Sequence, residues 1–140
     1  MHAPDVQGTM ANHTTELIQA EKPDAIMIGG PPFYLGGFKV DEAQLRRGVE
    51  NLKSIIRTAP VTILEHHALR DEGWKQKIEK VMQIASASGH SILTAAEYTG
   101  KENTFLESRR KQIYNDHPPS AEFKQWMKTL NNKKIAKPPI

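Results

Sequence analysis

The chain has 140 residues, 38% hydrophobic and 25% charged, with a formal net charge of +3, which fits one soluble domain burying about two-thirds of its unfolded surface. It has no cysteine, so disulfides, thiolate metal sites and cysteine nucleophiles are excluded, and a cytoplasmic location fits. No apolar run approaches the ~20 residues of a membrane span, and the N-terminus lacks the apolar core of a signal peptide.

The first landmark is Asp5-Val6-Gln7-Gly8. A helix is then predicted to about Glu21, capped by Asn12 or Thr14, with Leu17 and Ile18 inward; Lys22-Pro23 stops it. Asp24–Ile28 reads as a strand apolar on both faces, as buried parallel strands are. It ends in Gly29-Gly30-Pro31-Pro32, a turn that continues neither helix nor ladder. The clearest helix follows, with Asp41 as cap, Gln44 at the capping-box position, and Leu45, Val49, Leu52 and Ile56 on one face.

Pro60 separates that helix from a strand, Val61–Glu65, which stops at His66-His67-Ala68-Leu69-Arg70-Asp71. Asp71 is expected to cap a helix carrying Trp74, Ile78, Val81, Met82 and Ala85 on one face, ended by Gly89. Ser91–Thr94 reads as a short strand leading into Ala95-Ala96-Glu97. A helix over Thr104–Asn115 breaks at Pro118-Pro119, and Ser120 caps a last one with Phe123, Trp126, Met127 and Leu130 inward. The organisation expected is a main domain over 1–118 and a C-terminal helix with a basic tail over 119–140. From Phe123 to Ile140 there are five lysines and no acid, which gives weak support for nucleic-acid binding; a solvated tail is the simpler reading.

Strands alternating with helices are the mark of right-handed βαβ units and a parallel sheet. In such a sheet the strand C-termini share one edge. Asp5, the Gly29–Pro32 turn, His66-His67 and Thr94–Glu97 are therefore expected to converge there. Imidazole is the commonest protein metal ligand, so His66 and His67 are the leading candidates. If strand geometry continued through them, they would point in opposite directions and only one would ligate. Asp5 joins them as a candidate by sharing the edge. Gly30 could let a substrate approach the backbone, and Arg70 could pair with a phosphate or carboxylate. Glu97 is read either as a partner to a histidine or as a helix-proximal acid. Tyr34 and His13 stand between loop packing and substrate contact.

Asp5-Val6-Gln7-Gly8, Pro23–Pro32, His66–Asp71 and Thr94-Ala95-Ala96-Glu97-Tyr98 resemble, in order and spacing, the C-terminal half of an uncharacterised archaeal branch of the metallo-β-lactamase superfamily. The resemblance covers residues 5 to about 110. It implies an α/β fold, half of an αββα sandwich with mostly parallel strands. It also implies a divalent metal, zinc with manganese or iron as alternatives. Asp5 matches the bridging aspartate, His66 the later histidine ligand, and His67 is its alternate. The family's His-x-His-x-Asp-His signature has no counterpart in this sequence. The expectation is an incomplete metal-dependent hydrolase of phosphodiester or related ester bonds, binding metal weakly and inactive alone. Its partner would be a second copy or a complementary N-terminal-half chain, because helices on one face leave the sheet's other face uncovered. The competing reading is a non-catalytic αβ module for oligomerisation or a partner subunit. A weaker resemblance, of Glu65-His66-His67 to the Asp-His-His motif of another phosphoesterase family, has Glu in place of Asp.

Overall fold

The computed structural model describes residues 1–6 and 10–130. Gln7 and Gly8 of the first landmark, the inward placement of Leu130 and the end of the basic tail lie outside the described residues or side chains. The chain divides into two compact units, Met1–Ser108 and Arg109–Ile140.

The first unit is built on a four-stranded parallel sheet in the order β1 (His2–Ala3), β2 (Ala25–Ile28), β3 (Val61–Leu64), β4 (Ser91–Thr94). Sequential parallel neighbours require crossovers, and the helices supply them. Helix α1 (Asn12–Glu21) links β1 to β2, α2 (Glu42–Ile56) links β2 to β3, and α3 (His66–Leu69), α4 (Trp74–Lys77) and α5 (Glu79–Ala87) link β3 to β4. A single 3₁₀ turn covers Phe33–Leu35, and α6 (Ala95–Tyr98) follows β4 directly. The fold is thus α/β with a parallel sheet alternating with helices, as the strand and helix pattern predicts.

Register decides which strand residues meet the helices. Ile26 is level with Thr62 and Ile92, and Ile28 with Leu64 and Thr94. Of these, Ile26, Ile28 and Leu64 join Ile18 of α1, Leu52, Ile55 and Ile56 of α2, and Val81 and Ala85 of α5 in one core cluster. The alternate residues Ala25, Met27, Val61, Ile63 and Leu93 face the other way and lie outside that cluster.

Capping explains where elements begin. Asp41 Oδ1 accepts from the Gln44 N–H at 2.7 Å while Gln44 Oε1 accepts from the Asp41 N–H at 3.0 Å, so the expected capping box starts α2. Gly89, at φ +70°, closes α5. Helix α1 departs from expectation: Asn12 is its first residue and makes no cap, because its side-chain oxygen accepts from Asn51 of α2 at 3.1 Å. Thr14 lies inside the same helix and does not cap it, and Leu17 is 56% exposed while Ile18 is buried.

The helix expected after Asp71 is two helices. Asp71 turns the chain rather than capping it, accepting from the Gly73 N–H at 2.9 Å and pairing with Lys77. The break falls at Ile78, where the Val81 N–H donates to the Ile78 carbonyl at 2.8 Å, an i→i+3 contact that tightens the backbone.

In the second unit, α7 spans Arg110–Asp116 and α8 spans Ala121–Leu130. Ser120 Oγ accepts from the Phe123 N–H at 3.1 Å, so it caps α8 as expected. Met127 is exposed rather than inward, and Phe123 and Trp126 pack their rings together, with centroids 5.3 Å apart. The helix expected from Thr104 begins only at Arg110, after a run of turns over Leu106–Arg109.

Candidate metal centre

All four strands run the same way, so their C-terminal ends form one edge. Asp5 follows β1 at that edge, separated from it only by Pro4, which lies beyond the last paired residue of an edge strand where its missing N–H costs nothing. Strand β3 ends at Leu64. Glu65 then takes an extended conformation, and His66 and His67 open α3.

That switch overturns the expectation that the two imidazoles diverge. Consecutive residues on a helix project about 100° apart rather than to opposite faces. The His66 and His67 ring centroids lie 4.1 Å apart. Both Nε2 atoms approach the same carboxylate oxygen, Asp5 Oδ1, at 3.1 Å from His66 and 3.4 Å from His67. One ligand atom from each of the three residues lies within 4.8 Å of the others.

The Gly29–Pro32 turn holds α3 in this place. The Glu65 N–H donates to the Ile28 carbonyl at 2.9 Å and the Ala68 N–H to the Gly29 carbonyl at 2.7 Å, so β2 anchors the start of α3. A Cβ on Gly29 would stand 2.3 Å from the Pro4 carbonyl oxygen and 2.8 Å from His67 Cδ2. Glycine there lets the Asp5 and His67 segments close on each other. Gly30, at φ +74° and buried, would drive a Cβ into Ala68 Cβ at 2.6 Å. Its space is filled by α3, so it is a packing residue and not the open backbone expected for a substrate.

Each imidazole also has an oxygen at its second nitrogen. Glu65 Oε2 lies 3.6 Å from His66 Nδ1, and Tyr34 Oη lies 3.3 Å from His67 Nδ1. The Arg70 Nη1 donates to Tyr34 Oη at 3.0 Å, with its guanidinium carbon 5.3 Å from the Tyr34 ring centre. Arg70 Nε has Glu107 Oε2 at 3.8 Å and makes no hydrogen bond. Glu65 Oε1 is likewise buried without a hydrogen bond, with His2 Nε2 at 3.5 Å. The His67 side chain is only 12% exposed. Burial pushes its imidazole below the usual histidine range, helped by His66 and Arg70 and opposed by Asp5. It is therefore held neutral near pH 7, the form that ligates metal.

Other candidates are placed elsewhere. Glu97 serves α6 and not a histidine: its Oε2 accepts from the Thr94 N–H at 2.8 Å, its Oε1 accepts from Asn103 at 3.1 Å, and Lys75 pairs with it. His13 is exposed on α1, 3.8 Å from Glu16. Glu65 is the site residue that sequence reasoning passed over. Its only signal was adjacency to His66, and adjacency alone does not say which way an acid points. Two clefts border the site, one of about 200 Å³ between His66, Leu69 and the Thr104–Glu107 segment, and one of about 430 Å³ between Asp5, Met10 and Arg47.

Comparison with known proteins gives relatives but no solved fold. The chain is 36% identical over 114 residues to a UPF0282 protein of Pyrobaculum calidifontis, a match covering 81% of this chain and 36% of the relative. Its homologues are UPF0282 proteins of archaea. Those of Methanopyrus kandleri and Saccharolobus solfataricus are 34% and 33% identical, over 81% and 91% of this chain and 37% and 42% of their own lengths. The chain thus spans 36–42% of the length of the UPF0282 relatives it matches. No family model matches it, and no solved structure does. No described helix is long and apolar enough to cross a membrane.

Proposed function

We propose that Asp5, His66 and His67 are the ligands of a divalent metal, zinc first among the candidates. The chain would then be the part of a metallo-β-lactamase-like hydrolase that holds metal against phosphodiester or related ester substrates. The observation that carries this reading is the convergence of two imidazole Nε2 atoms on one carboxylate oxygen. Bonds of about 2.0–2.2 Å in tetrahedral geometry separate ligand atoms by roughly 3.3 Å, and the separations from Asp5 Oδ1 are 3.1 and 3.4 Å. Three protein ligands are also what a catalytic zinc site needs, one more than the resemblance supplied.

The outer partners support the same reading. With Nε2 given to the ion, each Nδ1 carries the proton, and Glu65 and Tyr34 are the acceptors that fix the rings. When bound, the ion would supply Lewis acidity toward a substrate oxygen. The chain's own residues hold and orient it, and because α3 sits on the β2 turn they do so from a rigid base.

Metal content of the purified chain tests the proposal. We expect weak, near-stoichiometric zinc, lost in Asp5→Ala, His66→Ala and His67→Ala, with little hydrolysis of a generic phosphodiester by this chain alone. Unchanged zinc uptake in all three variants would overturn it. The second face of the sheet favours a second reading, a non-catalytic αβ module that associates through that face; a chain that takes up no metal yet self-associates would select it.

A further inference from the structure

We propose that Tyr34 donates its hydroxyl proton to a phosphoryl oxygen of the substrate, held for that purpose by Arg70 and His67. This rests on the metal reading, because it follows from where the His67 proton must be.

A phenolic oxygen has two lone pairs and one proton. Arg70 can only donate, and its Nη1 lies 3.0 Å from Tyr34 Oη, which takes one lone pair. With His67 Nε2 facing the ion as a lone-pair donor, the imidazole proton sits on Nδ1. That N–H then points at Tyr34 Oη, 3.3 Å away, and takes the second lone pair. Neither neighbour can accept in return. The hydroxyl proton of Tyr34 must find an acceptor elsewhere, and with the side chain 36% exposed that direction opens to solvent beside the ligands.

The ring is held as firmly as its oxygen. It lies nearly parallel to the His67 imidazole, 10° between planes with centroids 6.2 Å apart, and the guanidinium covers it at 5.3 Å. A donor fixed in this way selects an oxyanion. Arg70 adds positive charge, reduced but not cancelled by Glu107 at 3.8 Å from its Nε. Asp5, on the far side of His67, is the negative group that a bound ion would neutralise. A phosphoryl group has enough oxygens to meet the ion and the Tyr34 hydroxyl together. Arg70 is a positioning residue here, acting through the hydroxyl it loads.

The test is titration of the zinc-saturated chain with inorganic phosphate, followed by calorimetry, beside acetate at equal ionic strength. A hydrogen bond to a charged group contributes about 1.5–3 kcal/mol, so Tyr34→Phe should weaken phosphate binding at least about tenfold. Arg70→Gln should weaken it by less, and by less again in the Tyr34→Phe background. Zinc affinity is measured separately, since loss of the Tyr34 oxygen should also loosen zinc, by roughly tenfold. Equal phosphate affinity of wild type and Tyr34→Phe, both zinc-loaded and folded by circular dichroism, would overturn the inference and leave the metal site standing. Acetate binding as tightly as phosphate would overturn the phosphoryl assignment. Failure of the wild-type chain to take zinc would remove both.

Discussion

On one face of the sheet Ile26, Ile28, Thr62 and Leu64 are fully buried against α1, α2 and α5; on the other, Ala25, Met27, Val61 and Leu93 are only half-buried. The exposed face is no less apolar than the core face. The core face includes two threonines, Thr62 and Thr94, where the other offers methionine, valine, isoleucine and leucine. Apolar composition alone therefore does not say which face the helices choose. Parallel sheets are nearly always covered on both sides, so the second face is suited to a further layer of polypeptide. UPF0282 relatives have the length to supply one, since the chain spans 36–42% of theirs.

The contrast can be broken by substitution. Leu64→Ala, at a residue with no exposure, should cost about 2–5 kcal/mol in chemical denaturation. A cost below that of a surface substitution would mean the core is not where it is described. Thr62 offers the opposite sign. Its hydroxyl is buried without a hydrogen-bond partner among the described residues, so Thr62→Val should raise stability by about 1–2 kcal/mol.

Next in size is the acid response of the far edge. Burial pushes the Glu97 carboxyl up, but the Thr94 N–H, the Lys75 ammonium and the Asn103 amide together hold it below the usual range. A lowered folded pKa gives stability that is full above the ordinary glutamate range and is lost as pH falls through the folded value. Melting followed between about pH 5 and pH 3 should therefore fall more steeply for wild type than for Glu97→Gln. Parallel curves would refute the role.

The smallest expected effect is on the second face. Leu93→Ala should cost less than about 1 kcal/mol, because much of its side chain is already wet. The face should show itself in association instead. Sedimentation of the isolated chain at micromolar concentration should report self-association that Met27→Lys weakens. A monomer at all concentrations would show that the face tolerates water.

Much of this was legible beforehand because the signals were local. Asp41 and Gln44 at capping-box spacing, glycine after a helix and apolar runs bounded by proline fixed α2, β2 and β3. The meeting of Asp5 with the histidines was legible only through topology, since parallel strands bring their C-terminal ends together whatever their separation in sequence. What the sequence did not show was tertiary preference. Asn12 is a good cap by type, yet Asn51 takes its side chain. His66 and His67 read as a continuing strand, yet the backbone turns helical one residue earlier. Gly30 reads as open backbone until Ala68 is seen filling the space.

One small feature carries a further consequence. Asp5 rides on a strand of two residues, held to β2 by register and by the Met27 N–H, which donates to the Met1 carbonyl at 3.0 Å. Asp5 and His66 are 61 positions apart. An ion joining them would turn that open stretch into a closed ring, lowering the entropy of the unfolded chain as well as adding bonds to the folded one. Fraying of β1 should then be the first motion that metal suppresses. Slowed amide exchange at Met27, ahead of any change in the β3 amides, would record it.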